Sequence, residues 1–441
     1  MARIVVTTFG SIGDLNPFVA LGLALRSNGH DVIFAVEDNF QQQVSLLGFP
    51  VCKLTGDQSQ ALDSYSHQIF NSERPLTSLK LLVDRYILPT LPAKVEELRE
   101  VCRQADLLIS VAPQFAASIV AEMLQIPWMA VILTPSTLPS ASIEAQPMSV
   151  QLPAPLQRLS NRFSWFLGGM VLRQIVDKPI NRVRRAFHVP PRSDLMWTGN
   201  LSPRFTAMAV SSALVPRPHD WPEYVRMTGF CFWDGAEDWQ FSETLKTFLR
   251  GDRPVVAVTA GTVAPGERAL FASYYQTSRE SILACGARAL LINAPENSDS
   301  PEQRENVLQI PFAPFSAIFP MCAAVIHHGG IGTIAQCLRA GVPSLVVPGG
   351  IDQPFNAAQV VQRKAGLWIP RKRYTARRAE QALRALLFTP TYKDHTRKIQ
   401  AQLMQEEGVA ILCAEVERIM SDKSAGQPSV RSAPTTQGPE T

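Results

Sequence analysis

Three glycines, two histidines and a threonine lie close together in HHGGIGT, residues 327–333 of the 441-residue chain. The apolar run before them, AAVIHH, predicts a buried parallel strand, and the residues from Thr333 onward predict a helix. Backbone N–H groups at a helix start bind anions, because they lack intrahelical partners and lie at the positive end of the dipole. The segment therefore predicts an anion site, built from His328, Gly329, Gly330, Gly332 and Thr333.

A carboxylate and an amide follow this predicted site after one helix and one strand. The helix ends at Gly341-Val342-Pro343, SLVVP returns as a strand, and Asp352 and Gln353 come after its carboxyl end. Ligands of open α/β sheets bind outside the carboxyl ends of the strands. An anion site beside a carboxylate and an amide suits a phosphate joined to a polyol.

The pattern HHGGxGT followed by DQxxNA resembles the donor signature of family 1 glycosyltransferases, the inverting nucleotide-sugar enzymes of GT-B fold. The resemblance implies two Rossmann-like domains whose parallel sheets face a cleft. It also implies that Thr262, His328 and Thr333 contact the donor phosphates, and that Asp352 and Gln353 contact the sugar hydroxyls. Taken alone, HHGG also fits a buried histidine pair before a tight turn.

Two further donor contacts follow from the same resemblance. Gln336 falls where many relatives carry a glutamate that binds the ribose, so that an amide replaces a carboxylate here. Phe312 falls where relatives place the aromatic ring that stacks on the pyrimidine, with an ordinary core phenylalanine as the alternative. His327 points away from His328 because strand residues alternate, and is expected to pack in the core.

The candidate base for the acceptor hydroxyl is Asp14, in the turn GSIGDLNP. Many family 1 members use a histidine here and orient it with a later aspartate, but that later position falls near Ser110, without a carboxylate. The turn instead resembles the GSxGDxxP subgroup of sterol glucosyltransferases, glycopeptide glycosyltransferases and the rhamnolipid rhamnosyltransferase, in which the aspartate is proposed as base. An aspartate normally has a pKa of about 3.9, and a helix N-terminus stabilises its anion further. Only burial in a closed cleft would therefore raise the pKa of Asp14. The alternative is that Asp14 only caps the helix.

Composition restricts the class of protein. The length suits two domains of about 200 residues, and the net charge of +4 is too weak to indicate nucleic-acid binding. Seven scattered cysteines without a CxxC pair indicate reduced thiols in a cytoplasmic protein. Since no DxD motif is present, no metal is expected, nor any cofactor besides the nucleotide-sugar co-substrate. No stretch reaches the roughly 18 apolar residues that a membrane span needs.

Strands and helices alternate along the chain, which predicts an α/β fold with two Rossmann-like domains. Asn16 is expected to cap the first helix and Pro17 to be its first residue. The expected divisions are an N-terminal acceptor-binding domain (1–234), a linker (235–252), a C-terminal nucleotide-sugar-binding domain (253–392), a single helix packing back on the N-terminal domain (393–420), and a disordered tail (421–441).

The segment 156–190 differs in kind, because apolar and aromatic residues recur there at near-helical spacing. Three interpretations stay open: an apolar acceptor pocket, a peripheral contact with an anionic membrane surface, or a core helix pair with a solvated basic face. The basic residues, which face only the acid Asp177, are Arg158, Arg162, Arg173, Lys178, Arg182, Arg184, Arg185 and Arg192.

Together these features predict an inverting, metal-independent glycosyltransferase that moves a hexosyl group from a UDP- or dTDP-sugar to a hydroxyl of a lipid-like, sterol or polycyclic acceptor. A catalytically weak nucleotide-sugar-binding protein of the same fold is the first alternative, since the second carboxylate is missing. An NAD(P) or flavin oxidoreductase is the second, although the turn with Gly10 and Gly13 lacks GxGxxG spacing.

Overall fold

The computed structural model describes residues 1–56, 75–144, 153–261, 271–295, 306–350 and 352–424. Their strands form a seven-stranded and a six-stranded sheet, both parallel throughout. The strands are β1 (Arg3–Thr7), β2 (Asp31–Val36), β3 (Val51–Lys53), β4 (Leu107–Val111), β5 (Trp128–Ile132), β6 (Thr206–Met208), β7 (Val225–Met227), β8 (Val255–Thr259), β9 (Arg288–Ile292), β10 (Val307–Ile310), β11 (Ala324–His327), β12 (Ser344–Val346) and β13 (Gly366–Trp368).

Helices cover both faces of each sheet, as short apolar strands that are buried on both sides require. They are α1 (Ile12–Ser27), α2 (Asp38–Leu46), α3 (Pro75–Leu82), α4 (Leu88–Cys102), α5 (Phe115–Leu124), α6 (Ala154–Leu172), α7 (Lys178–Ala186), α8 (Glu243–Arg250), α9 (Ala272–Ala284), α10 (Phe315–Ile318), α11 (Ile331–Ala340), α12 (Gln353–Gln362), α13 (Ala376–Phe388), α14 (Pro390–Leu403) and α15 (Gly408–Ser424). Two π-helical turns, Val83–Ile87 and Arg173–Asp177, connect α3 to α4 and α6 to α7.

The strand order of each sheet reverses once. The first sheet runs β3-β2-β1-β4-β5-β6-β7, and the second runs β10-β9-β8-β11-β12-β13. In such sheets the ligand crevice lies where the order reverses, outside the carboxyl ends of the strands. These positions are the β1/β4 and β8/β11 boundaries, so the turns after β1 and β11 both lie at a crevice. The predicted α/β class with two parallel sheets is confirmed.

The expected start of the first helix is wrong. Ser11 is the N-cap residue and α1 begins at Ile12, so that Pro17 lies inside the helix. Asp14, the third helical residue, accepts a hydrogen bond from the backbone N–H of Ser11 at 2.7 Å. This pairing starts the helix earlier than the proline cue suggests. Pro17 is the sixth residue of α1 and removes one intrahelical bond, the one that its N–H would donate to Gly13.

The expected single helix at 393–420 is also wrong, because the structure divides it into α14 and α15. Gly408 opens α15 directly against the Phe230 backbone, where a Cβ would lie 2.6 Å from the carbonyl oxygen. α15 packs on α1, and Leu412, Val416 and Ile419 join the core of the first sheet. The helix continues to Ser424, beyond the expected start of a disordered tail; residues 425–441 lie outside the described ranges.

The segment 156–190 is helical, and Trp165, Val176 and Ile180 join the core as a core helix pair requires. Its solvated face is basic as expected, but it also carries exposed apolar side chains. Leu159, Phe163 and Phe166 of α6 are exposed, whereas Asn161 and Trp165 of the same helix are buried. The outward face of α6 therefore carries large apolar side chains beside the exposed Arg158 and Arg162. In the part of the chain that the structure describes, no helix combines the length and the apolar character needed to cross a membrane.

Candidate active site

The glycine turn after β11 leads directly into α11. Gly330 is the N-cap residue and Ile331 the first helical residue, so Thr333 stands third in the helix and not at its start. The first intrahelical bond is donated by the Ile334 N–H to the Gly330 carbonyl at 3.1 Å. The N–H groups of residues 331–333 therefore precede the hydrogen-bonded ladder, and a Cβ placed on Gly332 would meet nothing within 4 Å. An anion has both donors and space at this helix start.

His328 lies between two glycine turns. A Cβ on Gly261 would lie 2.3 Å from its Cε1, and a Cβ on Gly330 would lie 2.5 Å from its Nε2. Burial lowers the pKa of His328 to about 4, so the ring is neutral near pH 7 and donates one N–H without a positive charge. Within the described ranges its buried Nδ1 has no hydrogen-bond partner. The ring is thus available to a ligand that accepts one hydrogen bond.

His327 is fully buried at the end of β11. Its Nδ1 accepts the Gly329 N–H at 3.1 Å, which holds the glycine turn to the strand. Burial, with a smaller contribution from His328, lowers the pKa of His327 to about 3. The ring is therefore a neutral part of the core.

Asp352 is the N-cap residue of α12 at the edge of the crevice, without a capping bond from its side chain. Its Oδ2 accepts a hydrogen bond from Asn356 Nδ2 at 2.8 Å, and Thr134, which follows β5 in the other sheet, lies close enough to lower the pKa of its carboxyl group slightly. Burial is the main cause that raises the pKa of Asp352 to about 6, and the negative charge of Asp14 raises it further. The neighbouring Gln353 is folded back, since its Oε1 accepts the Gly349 N–H at 2.8 Å.

Asp14 lies in the first turn of α1, with its carboxyl group over Gly10. Gly10 has a φ of +118°, and a Cβ there would lie 2.4 Å from Asp14 Oδ2, so the turn depends on glycine. The same Oδ2 accepts the Ser11 N–H at 2.7 Å and the Ser11 hydroxyl at 2.9 Å. Burial raises the pKa of Asp14, and the two bonds from Ser11 lower it by less. Asp14 is therefore a helix cap whose carboxylate is more basic than usual.

The two carboxylates belong to opposite sheets but to one crevice. Helix α1, which carries Asp14, contacts α11, which carries the glycine turn, and the charge of Asp14 acts on Asp352. Ser110, where a second carboxylate is missing, is fully buried in β4 and accepts the Trp128 Nε1–H at 2.8 Å. Ser11, and not Ser110, donates the two hydrogen bonds to Oδ2 of Asp14.

Gln336 binds a residue that the sequence did not single out. Its Nε2 donates to Asp234 Oδ2 at 3.3 Å, and Asp234 also accepts the Ser316 N–H and hydroxyl at 2.8 and 2.9 Å. Gln336 is buried, and its Oε1 has no partner in the described part of the chain. Asp234 thus fixes the amide with its oxygen free to accept a hydrogen bond. No sequence signal links the two residues, because they lie far apart in the chain.

The remaining predicted residues are placed as follows. Phe312 is 61% exposed, so the alternative of a core phenylalanine is wrong. Thr262 lies outside the described residues. Among the residues that the structure does describe, no group of three His, Cys, Asp or Glu side chains is arranged to hold a metal ion.

Both halves of the chain match known families of domains. Residues 4–143 match the Glycosyltransferase family 28 N-terminal domain. Residues 288–416 match the C-terminal domain of proteins like erythromycin biosynthesis protein CIII. The first match contains Asp14 and the second contains the α11 turn and Asp352, so each half of the crevice lies in a recognised domain.

Two curated relatives align with almost the whole chain. O-mycaminosyltylonolide 6-deoxyallosyltransferase of Streptomyces fradiae is 28% identical over 94% of this chain and 97% of its own length. A sterol 3-beta-glucosyltransferase of Debaryomyces hansenii is 25% identical over 91% of this chain, but this covers only 26% of that longer protein.

Solved structures share the fold at low identity. The glycotransferase of kitacinnamycin superposes with a TM-score of 0.73 at 20% identity, covering 95% of this chain and 99% of the other. Glycosyltransferase VinC, solved in complex with dTDP, superposes with a TM-score of 0.67 at 20% identity and the same coverage. The two parallel sheets, the two domain matches and the full-length relative agree: the chain is a glycosyltransferase of GT-B fold.

Proposed function

We propose that this glycosyltransferase moves a hexosyl group from a UDP- or dTDP-sugar, with inversion, to a hydroxyl of a lipid-like, sterol or polycyclic acceptor, and that Asp14 is the base. The observation that carries the proposal is the contact between α1, which carries Asp14, and α11, whose start forms the predicted anion site; the charge of Asp14 also raises the pKa of Asp352 on the donor half. A base on the acceptor half must lie close to the donor half, so that the acceptor oxygen it deprotonates can reach the anomeric carbon. The missing second carboxylate favours a non-catalytic binder. Burial raises the pKa of Asp14, however, and so makes its carboxylate basic enough to act without that partner.

In the proposed reaction the acceptor oxygen attacks the anomeric carbon while its proton passes to the Asp14 carboxylate. The bond between the anomeric carbon and the phosphate oxygen breaks, and the nucleoside diphosphate leaves with the electron pair. Ser11 bonds to Oδ2 of Asp14, and no bond from the described residues occupies Oδ1. Oδ1 is therefore the oxygen that takes the proton.

The leaving diphosphate is proposed to rest on the start of α11. The free N–H groups of residues 331–333, the Thr333 hydroxyl and the neutral ring of His328 donate hydrogen bonds there. We assign Gly329, Gly330 and Gly332 to the close approach of the phosphates, and the hydroxyl of Thr262 to a further contact. Because the donors are uncharged, the helix dipole supplies most of the electrostatic stabilisation of the leaving group.

The other donor contacts are assigned by their surroundings. The exposed ring of Phe312 stacks on the pyrimidine, and the buried Oε1 of Gln336 accepts a hydrogen bond from a ribose hydroxyl. Asp352 and Gln353 bind the sugar hydroxyls. The leaving group is the nucleotide itself, so the proposed reaction needs no cofactor. The unpaired state of the seven cysteines supports a cytoplasmic location.

The donor is tested by thermal unfolding with UDP, dTDP and their glucose and rhamnose conjugates. A ligand present at a hundredfold excess over its Kd stabilises the folded state by about 2.7 kcal/mol. VinC was solved in complex with dTDP, and the relative from Streptomyces is named for transfer of a deoxysugar. We therefore expect the largest rise in unfolding temperature with dTDP and a dTDP-deoxysugar. Absence of a shift with every nucleotide would contradict the proposed donor site.

A further inference from the structure

Helices α6 and α7 form one rod, Ala154–Ala186, through the π-helical turn at Arg173–Asp177. Along α6, large apolar side chains recur at alternating spacings of three and four residues and expose between 42% and 66% of their surface. Such spacing places them in one stripe on the helix. The stripe consists of Leu156, Leu159, Phe163, Phe166 and Met170.

The inner face of α6 is held in place by polar bonds, so the helix cannot turn its apolar stripe inward. Asn161 Nδ2 donates to the Ala141 carbonyl at 2.9 Å, and Trp165 Nε1 donates to the Ile143 carbonyl at 2.8 Å. Trp165 and Trp197 also pack edge to face, with ring centroids 5.2 Å apart. The more polar side of α6 is therefore buried and its more apolar side faces outward.

Unpaired cations accompany the stripe. Arg173, Arg184 and Arg192 pair with Asp194 or Glu122, and the one acid of the rod, Asp177, is buried and bonded to backbone N–H groups. The other basic residues of the rod are exposed and form no ion pair within the described ranges. These are Arg158, Arg162, Lys178, Arg182 and Arg185.

We propose that the α6–α7 rod docks in the interface of an anionic lipid bilayer, with the stripe among the acyl chains and these cations at the headgroups. The stripe extends over about 21 Å, at 1.5 Å per residue, which is longer than a single small acceptor covers. A second copy of the chain would oppose cations to cations across a two-fold axis. An anionic surface complements both features, as in helices that lie in a membrane interface.

The test uses the full chain in co-sedimentation with vesicles of phosphatidylcholine alone and with phosphatidylglycerol added. We expect binding only to the anionic vesicles, decreasing with salt. Since each cation near such a surface contributes about fivefold to binding, Arg158→Gln with Arg162→Gln is expected to weaken it about 25-fold. The control is Arg377→Gln with Arg378→Gln on α13, which is expected to leave vesicle binding unchanged.

The apolar part of the interface is tested by Phe163→Gln with Phe166→Gln, which is expected to weaken binding at least about tenfold. Phe388→Gln is the matched control, because Phe388 is 63% exposed but lies on α13. Equal binding to neutral vesicles, or undiminished binding by the Phe163/Phe166 variant, would overturn the proposal. A dimer that disappears in this variant, without vesicle binding, would overturn it in favour of a second copy.

The docking proposal is independent of the donor site. Thermal shifts with nucleotides report on α11 and Asp352, whereas vesicle binding reports on α6 and α7. The Phe163/Phe166 variant is expected to show the wild-type nucleotide shift, which also verifies that it folds. Failure of either experiment therefore leaves the other interpretable.

Discussion

Asp352 and Asp14 depend on each other through charge. Asp352 is half-buried, and its pKa is about 6 because its carboxyl group is desolvated and because Asp14 carries a negative charge near it. Opposite sheets supply the two carboxyl groups, so their interaction also reports how closely the crevice is closed. Coupling between neighbouring acids is reciprocal, and removing either charge lowers the pKa of the other.

The raised pKa of Asp352 predicts a pH-dependent stability. The folded state holds the proton more tightly than the unfolded chain, whose pKa is 3.8, so the free energy of unfolding falls as pH rises through 3.8 towards about 6. Asp352→Asn is expected to remove this part of the slope. Urea unfolding across this pH range measures it, with Asp38→Asn as a control for a carboxylate on the surface. An unchanged slope in Asp352→Asn would contradict the burial of this carboxyl group.

Asp234 is predicted to act through Gln336 as a positioning residue. Asp234→Ala removes the bond that holds the Gln336 amide. The proposed hydrogen bond from the ribose to Gln336 is then lost, which is expected to raise the KM for the donor about fivefold with kcat nearly unchanged. Ser316→Ala removes another partner of Asp234 but leaves Gln336 bound, so its KM is expected to change less. Equal effects of the two substitutions on KM would argue for a structural role alone.

At the scale of elements, the site consists of the starts of three helices, α1, α11 and α12. Asp14 lies in the first turn of α1, the free N–H groups belong to α11, and Asp352 is the N-cap residue of α12. Each helix follows a strand that ends at the crevice, so the sheets fix these positions. Flexible loops are not required to bring the described groups together.

The turn at Gly261 is predicted to position His328. Gly261→Ala would place a Cβ 2.3 Å from His328 Cε1 and is expected to weaken nucleotide binding about tenfold, because the ring loses its position against the diphosphate. Gly286→Ala is the matched control: Gly286 has a similar φ of +73°, but a Cβ there meets nothing within 4 Å. Both variants carry backbone strain, so calorimetric titration with dTDP must separate them. Similar affinities would contradict the role of His328.

The sequence predicted the elements better than their ends. Apolar runs such as AAVIHH identified buried strands, because parallel strands are covered on both faces. The proline at Pro17 predicts a later start of α1 than the structure has, because the pairing of Ser11 with Asp14 begins the helix at Ile12. Periodicity identified α6 as a helix but not which side faces inward, because hydrogen bonds from Asn161 and Trp165 decide that.

At the scale of the whole molecule, the crevice depends on how the two halves meet. The donor signature was visible in the sequence because HHGGIGT and DQPFNA lie close together in the chain. The sequence did not show three pairings, because the partners lie far apart in the chain. These are Asp14 with Asp352, Thr134 with Asp352 and Asp234 with Gln336. Such pairs are fixed by tertiary packing, including that of α15 on α1.

The most direct test of the proposed mechanism is the release of nucleoside diphosphate in the presence of acceptor by wild type and Asp14→Asn, at saturating donor. We expect Asp14→Asn to bind the donor normally and to lose at least about a hundredfold in kcat, while Asp38→Asn, an acid in the first turn of α2, stays near wild type. Wild-type activity is expected to fall at low pH as Asp14 takes up a proton. Undiminished kcat in Asp14→Asn, with the wild-type pH profile, would show that Asp14 only caps α1 and that another group is the base.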